Sequence, residues 1–388
     1  MPIISGDLPA PEADEREHSA RVAGHIRAAI NAAGGAIPFS EYMRLALYAP
    51  GLGYYRGGTE KFGAAGDFVT APGVSPLFGQ VLARQIAETL DACGGDTIFE
   101  LGAGSGRLAH RILHTLAAEK RLPERYLILE VSAELRVRQK ALLASEPELA
   151  ARVEWLERLP ERPIHGVILA NEVADALPVE CFSWQEGHAS RRGVQMEDGE
   201  FVWCDLDPPA FLATKATALA TAYEWPPDYR SECCPELGGW IAALAKTLAS
   251  GALLMFDYGL PEREYYHQQR DRGTLICHYR HRAHENPFLW PGLCDITAWV
   301  DFSALAQAGI DAGLDVAGYT TQANFLLGGG IGDALEDAGS ERDMLRLAGE
   351  IKRLTLPSEM GEAFKALALA RGCKAPSAFG FRDFVARL

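Results

Sequence analysis

The chain lacks any uninterrupted run of about 18 apolar residues, so no segment reads as a membrane-spanning helix. It is also poor in positive charge: 37 lysines and arginines face 52 acids, for a formal net charge of −15. Phosphate backbones need a basic surface, so a general nucleic-acid binder is not expected. The local exception is the run His278, Arg280, His281, Arg282 and His284, which reads either as a basic patch or as a solvated loop. Cysteines are few and scattered. None of the eight falls in a C-x-x-C pair, although Cys233 and Cys234 are adjacent. That speaks for reduced thiols in a cytoplasmic protein, against disulfides or a structural zinc, and no metal site is expected. The first 17 residues are acidic and proline-containing, without the basic and apolar stretches of a signal or import sequence. A disordered lead-in is expected there.

What is present is an ordinary globular composition, 48% hydrophobic and 23% charged, with one telling stretch. Phe99-Glu100-Leu101-Gly102-Ala103-Gly104-Ser105-Gly106 joins the β-type run Thr97-Ile98-Phe99 to the helical periodicity of Leu108, Ile112 and Leu113. Glycines at a strand-to-helix corner permit positive φ and let a ligand lie against bare backbone. The dinucleotide fingerprint G-x-G-x-x-G, which receives a pyrophosphate, would need its third glycine where this chain has Arg107. The spacing here is G-x-G-x-G, and Glu100 stands two residues ahead of it. A carboxylate at that mouth repels a diphosphate and attracts an ammonium or sulfonium group. S-adenosylmethionine (SAM) carries both cations and no phosphate, so SAM is the expected cofactor. An NAD-dependent oxidoreductase is the competing reading.

Tyr126–Val131 reads as a second buried strand, placing Glu130 24 positions after Gly106. An acid there accepts hydrogen bonds from ribose hydroxyls. Further apolar runs at Val153–Leu156, Gly166–Asn171 and Gly251–Gly259 alternate with helices. The pattern predicts an α/β fold: a Rossmann-like, mostly parallel doubly wound sheet, closed by Val316–Thr321 and by an antiparallel C-terminal strand at Ala363–Ala370. Residues 18–94 are expected to form a helical region with a glycine-rich loop, and 95–388 the cofactor-binding core. Insertions are expected at about 180–240 and 260–300, with antiparallel strands over Phe182–Cys204 in the first. The second is expected to be the substrate-recognition surface, with Tyr265, Tyr266, Tyr279, Trp290 and Trp299 as its contact area and core as the alternative for each.

The order of several segments resembles the MidA-like class I SAM-dependent methyltransferases, the group that includes the mitochondrial complex I assembly methyltransferase. The matching stretches are Ala64–Thr70, Phe99–Gly106, Leu129–Ser132, Ala170–Glu172 with Asp175–Val179, Glu232–Pro235, Asp257–Gly259, Asp295–Ala298 with Val300–Phe302, and Met360–Phe364. They run from about residue 25 to the C-terminus. The resemblance implies a methyltransferase acting on arginine of a protein, a respiratory complex I subunit or its bacterial counterpart. Without an import presequence, it implies a bacterial cytoplasmic member.

Gly102, Ala103, Gly104 and Gly106 are assigned to the cofactor's close backbone approach, Glu100 to its cationic end, Glu130 to its ribose, and Asp67 to its methionine end. Asn171 is assigned to both cofactor and acceptor. Guanidinium stays protonated and is a poor nucleophile, but carboxylates hold it bidentately. Glu172 is therefore expected to orient the acceptor and Asp175 to support it; helix capping is the alternative for both. A protein partner is expected, with no nucleic acid and no membrane insertion, and a homodimer is left open. A catalytically silent SAM-binding assembly factor is the remaining alternative.

Overall fold

The computed structural model describes residues 8–57, 71–336 and 338–388. The chain divides into two compact units. The first to consider is built from 71–174, 237–259 and 302–388. Its strands are β1 (Thr97–Leu101), β2 (Arg125–Leu129), β3 (Val153–Leu156), β4 (Ile164–Asn171), β5 (Leu248–Leu260), β6 (Asp315–Thr321) and β7 (Phe364–Arg371). They lie in the order β6-β7-β5-β4-β1-β2-β3. All neighbours from β5 to β3 are parallel, and β7 alone runs against both its neighbours. This is the sheet the sequence predicts.

Strands covered on both faces read as near-continuous apolar runs. Val167, Ile168, Leu169, Leu253 and Leu254 accordingly have no exposed surface. Arg371, at the end of β7, donates to the carbonyls of Ala245, Leu248 and Ala312 at 2.7, 2.6 and 3.2 Å and ties the reversed strand in place.

Three helices frame the first strands: α1 (Pro76–Cys93), α2 (Arg107–Ala118) and α3 (Ala133–Leu143). The start of α1 follows its sequence signal: Ser75 Oγ accepts from the Leu77 amide at 3.0 Å, and Pro76 occupies the first helical position. Phe78, Leu82 and Ile86 are buried in one core with Ile98, Ile112, Val167 and Leu254.

The other unit joins the N-terminal helices with 175–236 and 260–301. Helices Ala13–Ala32 and Phe39–Tyr48 accompany a five-stranded antiparallel sheet, in which Ala36–Pro38, His188–Glu197, Glu180–Gln185 and Asp228–Cys233 are successive neighbours. Glu200–Leu206 pairs with His188–Glu197. A small sheet holds Arg282–His284, Ile276–Tyr279 and Asp295–Thr297.

Two readings of this region change. The basic run is neither an open patch nor a loop: it is a hairpin, turned by Arg280 and His281 at φ 45° and 62°, with His278 and His284 buried. Arg280 is taken up by Glu15 at 2.9 and 3.0 Å. Tyr265, Tyr266 and Tyr279 are core, not recognition surface. Their polar tips find partners inside, as buried tyrosines need: Tyr265 donates to Glu232 Oε1 at 2.7 Å and Tyr266 to the Glu232 carbonyl at 3.2 Å. Trp290 and Trp299 are half-buried. No helix among the described residues is long and apolar enough to cross a membrane.

Candidate active site

Open α/β sheets bind ligands beyond the carboxyl ends of their strands, where the winding reverses. Here that point lies between β1 and β4. In register, Leu101 of β1 faces Leu129 of β2 on one side and Ala170 of β4 on the other. The next residues out are therefore Gly102, Glu130 and Asn171, level on three adjacent strands. The Gly102 amide donates to the Leu129 carbonyl at 2.9 Å and fixes the root of the glycine loop.

Gly102, Gly104 and Gly106 all adopt positive φ, at 60°, 54° and 78°, and Ala103 between them is buried. Gly106 has a second reason to be glycine. A Cβ there would stand 3.0 Å from Gln139 Cγ, because α3 packs directly on the turn.

Glu100 is 2% exposed and accepts from the Tyr126 hydroxyl at 2.8 Å. Burial pushes its carboxyl up to about 7; the Tyr126 bond opposes the rise and the Glu130 charge adds to it. Its hydrogen-bond partner is thus a tyrosine on the neighbouring strand β2.

Glu130 is also buried. Its Oε1 accepts from the Ser132 amide at 2.9 Å and its Oε2 from Gln139 Nε2 at 3.0 Å. The same Gln139 nitrogen donates to the Gly104 carbonyl at 2.8 Å, and Gln139 Oε1 accepts from Trp155 Nε1 at 2.8 Å. Sequence reading did not single out Gln139 as a site residue.

At the end of β4, Asn171 Nδ2 donates to Glu172 Oε1 at 2.9 Å, so these two candidates are brought together. Glu172 stands at φ 55°, a left-handed conformation that costs a residue with a Cβ about 1–2 kcal/mol. Strain of this kind persists where surrounding structure imposes it. The Glu172 amide donates to the Phe256 carbonyl at 2.8 Å. Asp257, buried on β5, accepts through Oδ2 from the amides of Val173 at 3.2 Å and Ala174 at 2.9 Å, and through Oδ1 from that of Tyr258 at 3.0 Å. Asp257 thus clamps the turn that carries Glu172. Its signal in the sequence was an acid at the end of an apolar strand, the same signal that marks Glu130. Asp175 is buried in the other unit, where its carbonyl accepts from the Ala298 amide at 3.0 Å. Asp67 lies outside the described residues. No group of three or more metal-ligating side chains is assembled among the described residues.

This donor set suits a nucleoside. The turn offers bare backbone, and a carboxylate, with about four acceptor positions, stands at the end of the neighbouring strand. Residues 81–320 match the family model described as "Putative S-adenosyl-L-methionine-dependent methyltransferase". A crystal structure of a Burkholderia thailandensis protein bound to S-adenosyl-homocysteine is 46% identical, covers 98% of this chain and 100% of its own, and has a TM-score of 0.94. The mouse mitochondrial protein arginine methyltransferase NDUFAF7 is 30% identical over 86% of this chain and 81% of its own length. Its human counterpart is 28% identical over 86% and 80%.

Proposed function

The chain belongs to this family of SAM-dependent methyltransferases, and from that premise we propose that its acceptor is an arginine side chain on a protein. The observation that carries the reading is Glu172, an acid held in a strained conformation, bonded by Asn171, and set one residue beyond the end of β4. Gly102, Ala103, Gly104 and Gly106 hold the adenosyl group against backbone, and Glu130 takes the ribose hydroxyls. Glu100 acts at one remove, through Tyr126 and β2. Asp67 stays assigned to the methionine end. When bound, SAM supplies a methyl group on a positively charged sulfur.

The chain's own task is to bring a weak nucleophile into line. A guanidinium is protonated and delocalised at any physiological pH. Glu172, accepting its N–H groups, draws the positive charge toward one side of the guanidinium and leaves electron density on the nitrogen that reacts. Holding acceptor and donor in line contributes up to roughly 7–11 kcal/mol in favourable cases. That the mouse and human relatives are protein arginine methyltransferases supports arginine as acceptor, and a respiratory complex I subunit or its bacterial counterpart is the substrate we propose. Eight cysteines, all unbridged, support a cytoplasmic location.

Glu172→Gln keeps size and loses charge. It is expected to cut methylation while SAM affinity, measured by titration calorimetry, stays within a few-fold. Equal loss of both would reject the assignment. Tritiated SAM added to lysate with the enzyme, followed by gel and mass spectrometry, names the acceptor protein and residue; a label on no arginine overturns the proposal.

A further inference from the structure

We propose that Gln139 is a positioning residue for the cofactor's ribose: one buried amide sets both the Glu130 carboxylate and the Gly104 carbonyl. The inference rests on the reading of Glu130 as the ribose acceptor. Gln139 lies in the middle of α3 with no exposed surface. Both sides of its amide are in use, and their chemistry fixes which way it points. Trp155 Nε1 is a donor only, so the atom it meets at 2.8 Å is the amide oxygen. The amide nitrogen is then aimed at two acceptors, Gly104 O at 2.8 Å and Glu130 Oε2 at 3.0 Å.

One side chain therefore joins the glycine loop after β1, the acid after β2 and the indole on β3. Ser132 N holds the other Glu130 oxygen at 2.9 Å, so the plane of the carboxylate is set from both ends. Gly106 admits α3 close enough for this reach. Lys140, the next residue on α3, sits 5.1 Å from the centre of the Trp155 ring and secures the indole from outside. A carboxylate held this way meets two hydroxyls without reorganising. The same carboxylate on an untethered side chain must be ordered on binding, which weakens the complex.

The test compares dissociation constants for S-adenosylhomocysteine and its 2′,3′-dideoxyribose analogue, by calorimetry, in wild type, Glu130→Gln, Gln139→Met and the double variant. A site that reads hydroxyls discriminates strongly against an analogue lacking them. Gln139→Met keeps the volume and removes both donors; it is expected to weaken S-adenosylhomocysteine about tenfold, leave the dideoxy analogue within about twofold, and so lower the ratio of the two about tenfold. The double variant is expected to lose no more than Glu130→Gln alone. If Gln139→Met weakens both ligands equally, or leaves the ratio at the wild-type value while Glu130→Gln abolishes it, Gln139 is merely structural and the proposal fails. If Glu130→Gln leaves the ratio untouched, the ribose reading fails, and this inference with it. Thermal melts of the ligand-free proteins establish folding. Should Gln139→Met not fold, Trp155→Phe removes only the N–H that orients the amide, and the same drop in ratio is expected at smaller size.

Discussion

The left-handed backbone of Glu172 gives an inverted ranking of two small substitutions. In most helix and strand interiors, alanine is more stabilising than glycine by about 0.5–1 kcal/mol, because glycine loses more freedom on folding. At φ 55° the order reverses. Any residue with a Cβ carries a penalty of about 1–2 kcal/mol there, and glycine carries none. Glu172→Ala and Glu172→Gly both lose the carboxylate and the 2.9 Å bond from Asn171, so that loss cancels between them. Setting the backbone penalty against glycine's greater freedom when unfolded leaves Glu172→Gly ahead by about 0.5–1 kcal/mol. Urea titration of intrinsic fluorescence resolves such a difference, and a radiolabel assay run in parallel should find both variants equally inactive. If Glu172→Ala matches or exceeds Glu172→Gly in stability, the backbone at this position is not strained and the functional weight placed on it is misplaced.

Two further outcomes follow from the buried acids. Glu100 has a folded pKa of about 7 against an ordinary 4.5, so between those values the folded state binds more protons than the unfolded one. Its contribution is fully present below about 4.5 and lost as pH climbs through about 7, a fall of roughly 3 kcal/mol across the window. Glu100→Gln, still able to accept from Tyr126, should flatten that stretch of a stability–pH curve; an unchanged slope assigns the titration elsewhere. Asp257→Asn turns an amide nitrogen toward backbone donors that the carboxylate satisfied. It should destabilise by about 2 kcal/mol and lower kcat while SAM affinity stays within threefold, and a loss confined to SAM binding would place Asp257 on the cofactor instead.

The core sheet was legible because each parallel strand is a short apolar run punctuated by glycine or an acid, as at Phe99–Gly106 and Tyr126–Val131. The strand ends then gave Gly102, Glu130 and Asn171 together, since register follows from pairing. What escaped notice has a common cause. Gln139 and Asp257 act through contacts between elements far apart in sequence, and periodicity says only that such positions face inward. The partner of Glu100 was hidden for a related reason: its position on β1 brings it to Tyr126, 26 residues away in sequence. Tyr265 and Tyr266 look amphipathic in sequence, but their hydroxyls are answered by Glu232 inside the unit.

The placing of β7 between β5 and β6 has a consequence for synthesis. The edge of β5 that β7 covers must wait for 111 more residues, from Leu260 to Arg371, to leave the ribosome. At about 5–20 residues per second this is on the order of 6–20 s during which an apolar strand stands with unanswered backbone groups. A stop codon between positions 261 and 364 makes that exposure permanent. Such alleles should yield insoluble chains rather than weakly active ones, and the nascent protein is a natural client for chaperones that shield open strands.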